Sequence, residues 1–272
     1  MKKKLISLML VAALAAGVTA CGSSDAKTTD DSVAVATEQG ASADAEKVLK
    51  VGMEGTYAPY TYHADDGTLT GFEVDVANAI GEKMGYKVEF VETEWDSMFA
   101  ALDAGNFDVV MNQVTMTDER KEKYDFSTPY IYTKPILIVA ADNDEIKSFE
   151  DVAGKKAAEG LTSNFNQIAQ DYGAEIVGQD KFALAMECVL SGEADCAIND
   201  ELTYAYWKTQ KGDDTSTKVA AESDDVTSSA VVINKGREDL LSQIDSAIDE
   251  LIADGTIAEI SDKYFGMDIS QQ

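Results

Sequence analysis

Two stretches of this chain repeat one another. Residues 101–113 (ALDAGNFDVVMNQ) and 188–200 (CVLSGEADCAIND) align without a gap, Gly105 on Gly192, Asp108 on Asp195 and Asn112 on Asn199. In each copy a helical pattern ends at a glycine, the residue that most readily takes the left-handed position closing a helix, and a short apolar strand follows. A looser echo sets Glu54-Gly55-Thr56 beside Glu159-Gly160-Leu161-Thr162. Such a duplication implies two similar lobes, each with a polar tip at the carboxyl end of a strand. Open α/β sheets bind ligands at those ends, so Asn112-Gln113 and Asn199-Asp200 are expected to converge on one cleft.

The rest of the body alternates in the same way, which predicts an α/β fold. Leu49 to Met53 is a short apolar run, and Val74, Ala77, Ile80 and Met84 recur at helical spacing. Val88-Glu89-Phe90-Val91 reads as a strand, Met98, Phe99 and Leu102 mark a helix, and Phe107 to Met111 is apolar throughout, as a strand covered on both faces would be. Leu241, Ile244, Ile248, Leu251 and Ile252 place one apolar face along a helical stretch from Leu240 to Ile260.

Charge removes whole classes of function. The 22 Lys and Arg stand against 50 Asp and Glu, a net charge of −28, so a protein that tracks the phosphates of a nucleic acid is excluded. Electrostatic attachment to an anionic membrane face is disfavoured on the same ground. Three cysteines cannot make a disulfide scaffold, and a single histidine, His63, argues against a histidine-rich metal site or a His-based triad. His63 lies beside Asp65-Asp66-Gly67, a hairpin-like turn, and is expected to be exposed. No metal or cofactor is expected.

The first residues read as an address. Met1-Lys2-Lys3-Lys4 is basic, and Leu5 to Val18 is apolar but short for a membrane span. Val18-Thr19-Ala20-Cys21 then resembles the lipobox of bacterial lipoproteins, in which cleavage leaves a diacylated cysteine. An ordinary secretory signal with a chance cysteine is the alternative. Loss of residues 1–20 removes three lysines and no acid, which takes the net charge to −31. Residues 22–46 hold Ser, Thr, Ala and acids with no aromatic, too little apolar surface to offset ordering. The expected division is therefore a signal at 1–20, a tether at 21–46 carrying lipidated Cys21, and a folded body from about Val48.

Within that body, Gly71-Phe72-Glu73-Val74-Asp75-Val76 with Ile80-Gly81 and Met84 resembles the signature of family 3 extracellular solute-binding proteins, which deliver amino acids to ABC importers. Thr115-Met116-Thr117-Asp118-Glu119-Arg120, followed by Tyr124-Asp125-Phe126-Ser127-Thr128-Pro129-Tyr130, resembles the family's second block, and the similarity runs from Val48 to Phe265. The strings EGTYAP from Glu54, TEWDSMF from Thr93, Asn112-Gln113-Val114 and LTSNFN from Leu161 are most similar to cystine-binding members. The resemblance implies a two-lobed type II periplasmic-binding-protein fold, each lobe a mostly parallel sheet flanked by helices, with two hinge strands between them. Lobe one would span 48–134 and 230–268, lobe two 135–229. It also implies a free amino acid as ligand, an ABC permease as partner, a monomer, and a lipid-anchored place on the outer face of the cell membrane.

An amino acid zwitterion needs a cation for its carboxylate and an anion for its ammonium group. The arginine of the family's Thr-x-x-Arg motif plays the first part, here Arg120, whose planar fork can meet two oxygens. Asp200 matches the family's acid for the ammonium group, and the same aspartate suits the N-cap of a helix beginning Glu201-Leu202. Glu54 matches a position where a shorter acid often helps. Tyr57 and Trp95 fall where the family stacks flat side chains around the ligand, and Asn112, Gln113 and Thr115 offer neutral hydrogen bonds. Thr162, Ser163 and Asn164 stand at the start of a helix whose free N–H groups suit a carboxylate. Glutamine or another polar amino acid fits the same lining. A dehydratase related by fold is the competing enzyme, with Glu54 or Glu159 as general acid. Cys188 and Cys196 read as buried thiols or as a structural disulfide.

Overall fold

The computed structural model describes residues 47–212 and 215–272. The signal, Cys21 and the tether expected before Lys47 lie outside the described residues. In chain order the elements are β1 (Val48–Met53), β2 (Thr56–Tyr57), β3 (Thr61–His63), β4 (Leu69–Thr70), α1 (Phe72–Met84), β5 (Lys87–Glu92), α2 (Trp95–Asp103), β6 (Val109–Val110), α3 (Asp118–Lys123), β7 (Tyr124–Phe126), β8 (Ile131–Thr133) and β9 (Pro135–Ala140). They continue with β10 (Lys156–Glu159), α4 (Asn164–Asp171), β11 (Glu175–Gly178), α5 (Phe182–Ser191), β12 (Cys196–Asp200), α6 (Glu201–Gln210), β13 (Thr217–Glu222), β14 (Thr227–Ser229), β15 (Val232–Asn234), α7 (Glu238–Ala253) and α8 (Thr256–Phe265).

Two five-stranded sheets share one plan. The first has the order β5-β1-β6-β15-β7, the second β11-β10-β12-β9-β13. In each, three strands run parallel, a fourth runs against them, and a fifth pairs with that fourth. Between the sheets the chain passes once out and once back, through β8 and β14, which pair antiparallel from Ile131–Ser229 to Thr133–Thr227.

The repeat noticed in the sequence is visible atom by atom. Gly105 and Gly192 both sit at positive φ, 74° and 77°, where a side chain would be strained. The strand that follows is then clasped to its parallel neighbour in the sheet, β1 in one case and β10 in the other. Asp108 donates its N–H to Lys50 O and accepts from Lys50 N (2.9 and 3.0 Å); Asp195 does the same with Lys156 (both 2.8 Å). One carboxylate in each lobe thus locks the register that aims Asn112 and Asn199 at the same end of their sheets.

Helices cover both faces because their apolar stripes demand it. In α1, Phe72, Val76, Ala77 and Ile80 are buried, and Gly85 closes the helix in the left-handed region. Gly71, just ahead of it at φ 131°, admits no side chain, since a Cβ would fall 2.2 Å from Tyr60 O. The C-terminal apolar stretch forms two helices where the periodicity predicts one. Gly255 at φ 84° ends the first run and lets α8 turn back onto α1. Ile244, Ile248 and Leu251 of α7 are buried in the core around β1, each contributing roughly 1.5–3 kcal/mol by leaving water. Phe107 to Met111 yields only a two-residue ladder at Val109–Val110, flanked by bonds from Asp108 N to Lys50 O and Met111 N to Gly52 O, and the Phe107 ring packs against Gly52, which has no Cβ to obstruct it.

Candidate functional site

The ends of β1, β6, β10 and β12 face one another across a cavity between the sheets. Its empty volume, which includes space open to solvent, is about 620 Å³. Of the expected residues, Glu54, Tyr57, Trp95, Asn112, Gln113, Ser163 and Asn164 line it, joined by Glu159, Lys181, Phe182 and Asn199. Thr115, Arg120, Thr162 and Asp200 do not line it; the first two and Asp200 are buried, and Thr162 is exposed. Arg120 and Thr162, with Ser163 and Asn164, line a second groove, whose empty volume is about 1310 Å³, that runs past Phe99, Lys123 and Gln170.

The first lobe's half is a set of interlocked polar groups. Asn112 Oδ1 accepts from Glu54 N (2.9 Å) and Thr61 Oγ1 (3.1 Å), while Asn112 Nδ2 donates to Glu54 Oε2 (2.7 Å). Burial, with Glu94 and Asp96 adding repulsion, raises the Glu54 carboxyl to about 7 against the Asn112 hydrogen bond and Lys181. Gln113 adopts φ 53°, an unusual conformation for a residue with a side chain. Glu73 Oε1 holds it there by accepting from Gln113 N (2.6 Å), and Glu73 Oε2 accepts from Tyr130 Oη (2.5 Å). The turn sends Gln113 Nε2 to Asp200 Oδ2 (3.0 Å) and Thr133 Oγ1 (3.3 Å).

Arg120 is buried, its guanidinium 5.2 Å from the Trp95 ring centroid and 5.4 Å from that of Phe99. It donates to Thr115 O (3.0 Å) and, across the cleft, to Thr162 O (3.3 Å). Among the described residues no carboxylate lies within ion-pair distance of it. Burial lowers its pKa to about 10, so it remains a cation at neutral pH. The indole N–H of Trp95 beside it is buried with no acceptor among the described residues.

Asp200 belongs to the second lobe. Its Oδ1 accepts from Leu202 N (3.0 Å), Thr203 N (3.1 Å) and Tyr60 Oη (3.0 Å), so it caps α6 as its position suggests and bridges to lobe one as well. It too is without a cation among the described residues, and burial raises its pKa. Ser163 caps α4 through Asn166 N (3.0 Å). Further contacts cross the cleft: Tyr57 Oη to Asn199 Oδ1 (3.0 Å), Asp96 Oδ1 from Thr162 N (3.2 Å) and Thr162 Oγ1 (2.7 Å), and Lys181 Nζ to Glu94 Oε1 (3.7 Å). The lobes are closed on one another.

Glu73, Tyr60, Asp96 and Lys181 have parts in this site that pattern reasoning does not assign. Glu159 and Asn199 had a signal, since the internal repeat pairs them with Glu54 and Asn112. Elsewhere, Cys188 and Cys196 are free, buried thiols, with burial pushing Cys196 up to about 12. His63 is exposed and bonds Glu92 Oε2 at 2.8 Å.

Comparison with known proteins sets this geometry in context. The chain is 40% identical over 272 residues, the whole of both chains, to the L-cystine-binding protein TcyA of Bacillus subtilis. Among solved structures, an ancestral arginine-binding protein bound to glutamine is 34% identical, with a TM-score of 0.77 over 82% of this chain and 99% of that one. The L-cystine solute receptor of Neisseria gonorrhoeae, in its unliganded open conformation, is 41% identical with a TM-score of 0.57 over 84% and 96%. Residues 49–267 match the family described as bacterial extracellular solute-binding proteins, family 3, and the chain belongs to that family.

Proposed function

We propose that this protein captures a polar amino acid, cystine before others, by closing its lobes on it, and hands it to an ABC importer. The observation that carries the reading is a pair of buried, opposite charges beside one cavity, Arg120 and Asp200, each without a counter-ion among the described residues. A buried charge without a partner is costly, and a zwitterion supplies both partners at once. The ligand carboxylate takes the Arg120 fork, and the indole N–H of Trp95 is a further donor beside it. Asp200 takes the ammonium group while keeping its cap. Docking begins on lobe one through Arg120, Tyr57 and Thr115, and closure brings Asp200 and the Ser163 turn onto the far side.

Closure as the working motion is supported by the comparisons. The more similar sequence, an open form, fits the present structure less well than the less similar, ligand-bound one. Cystine is favoured because the chain is 40% identical over its full length to a cystine-binding protein; a lining rich in Asn, Gln and Ser is compatible with it and with glutamine. We further infer that Cys21 carries a lipid, that the body is a monomer held on the outer face of the membrane, and that the protein is not an enzyme. Asp200 asks for an amino group, which the dehydratase reading does not use.

Thermal unfolding of residues 47–272 against a non-reducing panel of amino acids tests this. A ligand at a thousand times its Kd adds about 4 kcal/mol, roughly 8–16 °C for a body of this size. A shift with cystine that disappears on reduction is expected. A shift with glutamine alone would overturn cystine as the ligand, and no shift at all would overturn amino-acid binding.

A further inference from the structure

The internal repeat places a second carboxyl group opposite Glu54. Glu54 follows the last residue of β1 and Glu159 is the last residue of β10, the corresponding strand of the second sheet, and both line the cavity. Glu159 is 3% exposed. Among the described residues the one hydrogen bond of its side chain is from Ile198 N to Oε1 (2.6 Å). That bond has a local cause: β10 pairs with β12 only at Ala157–Cys196, and the carboxyl takes an amide that the shortened ladder leaves free.

A glutamine would accept that bond equally well without burying an ionisable group. The structural task therefore explains the oxygen at Oε1 and not the acid. The other oxygen has no partner among the described residues, on a side chain that lines the cavity. Glu73 makes the contrast, since both its oxygens are engaged and it does not line the cavity. Lys181, a cation on the same lining, stands at the Glu54 end and is shared with Glu94.

We propose that Glu159 recognises a second ammonium group, at the end of the ligand remote from the one Asp200 holds, with Glu54 facing it from the other lobe and Lys181 available to a second carboxylate. This rests on the amino-acid-binding reading above and narrows it. The ligand class is an α-amino acid that ends in another amine, of which a diamino dicarboxylate such as cystine is one form, and neutral-tailed amino acids such as glutamine are discriminated against. The two glutamates come from different lobes, so the remote amine is read fully only on closure.

Isothermal titration calorimetry on the folded body with three disulfides separates the terms. L-cystine carries both remote charges, the mixed disulfide of cysteine with 3-mercaptopropionate lacks the remote amine, and that with cysteamine lacks the remote carboxylate. Wild-type protein is expected to bind the mercaptopropionate compound about tenfold or more weakly than cystine, and the cysteamine compound closer to cystine. In Glu159→Gln that discrimination should fall to within about threefold, while the unliganded variant melts no lower than wild type, because the Ile198 bond is kept and a buried ionisable group is gone. Undiminished discrimination by Glu159→Gln would overturn the proposal. So would equal weakening of all three ligands together with a lower melting temperature, which is what a structural glutamate produces. Failure of wild-type protein to bind any of the three would refute the disulfide-ligand reading itself, before the variant is considered.

Discussion

Replacing Glu73 by Gln should flatten the pH dependence of stability by an amount the structure fixes. The Glu73 carboxyl, in the first turn of α1, is fully buried, and burial raises it to about 7 from an ordinary value of 4.5, against the lowering effect of its bonds from Tyr130 and Gln113. A raised carboxyl binds its proton more tightly in the folded chain than in the unfolded one. Between 4.5 and 7 the folded state therefore holds more protons, and stability falls as pH rises through that window, levelling off above it. From pH 5 to pH 8 this one group removes about 2.5 kcal/mol, or roughly 5–10 °C of melting temperature for a body of this size. Glutamine keeps an acceptor for Gln113 N and an amide facing Tyr130 Oη, so shape and hydrogen bonding survive while the titration is lost. Glu54 titrates in the same window and remains in the variant, so the informative quantity is the difference between the two proteins. Melting curves of both at pH 5, 6, 7 and 8 should converge at acid pH and separate by that amount at alkaline pH. Parallel curves would refute the account of Glu73 as a buried acid held at a cost.

The other tests bear on the site and the anchor. Arg120→Ala should cost several kcal/mol of ligand binding by stranding the ligand carboxylate, and Arg120→Lys should also weaken it because a point charge cannot copy the fork; calorimetry within a few-fold of wild type for the alanine variant would remove Arg120 from the site. Asp200→Ala should lose both binding and about 1 kcal/mol of stability, the latter from the α6 cap, whereas Asp200→Asn should retain most of the cap and still lose binding; intact binding by Asp200→Asn would leave the residue as a cap alone. Cys21→Ala in the full chain should move the protein from the membrane fraction to the soluble one, and unchanged fractionation would rule out lipidation at that residue.

The architecture was legible where the chain repeats itself. Gly105, Asp108 and Asn112 recur as Gly192, Asp195 and Asn199 because each lobe needs the same helix exit, the same strand clasp and the same polar tip, and those needs are local enough to leave fixed spacings. What sequence could not display are relations made only when distant segments meet. Asp200 as a cap is visible from Glu201-Leu202, but its bonds to Tyr60 and Gln113 depend on the lobes closing. Arg120 stands out by motif, whereas its seat between Trp95 and Phe99 is a product of packing between α2 and α3. Glu73 appears in the sequence only within the family signature, while the left-handed turn at Gln113 that it supports lies 40 residues away. The break at Gly255 was missed because the apolar face continues on both sides of it.

The placing of β15 has a consequence for how the chain is made. It lies between β6 and β7, so the first sheet is assembled around a strand that emerges after the whole of the second sheet has been synthesised. Until Asn234 is available, β7 has no neighbour in that sheet and β6 presents a bare edge, the kind of surface on which chains pair wrongly with one another. The half of the molecule that bears Arg120 begins first and is finished last. A growing chain therefore carries a complete second sheet while the first still waits for the strand that joins β6 to β7.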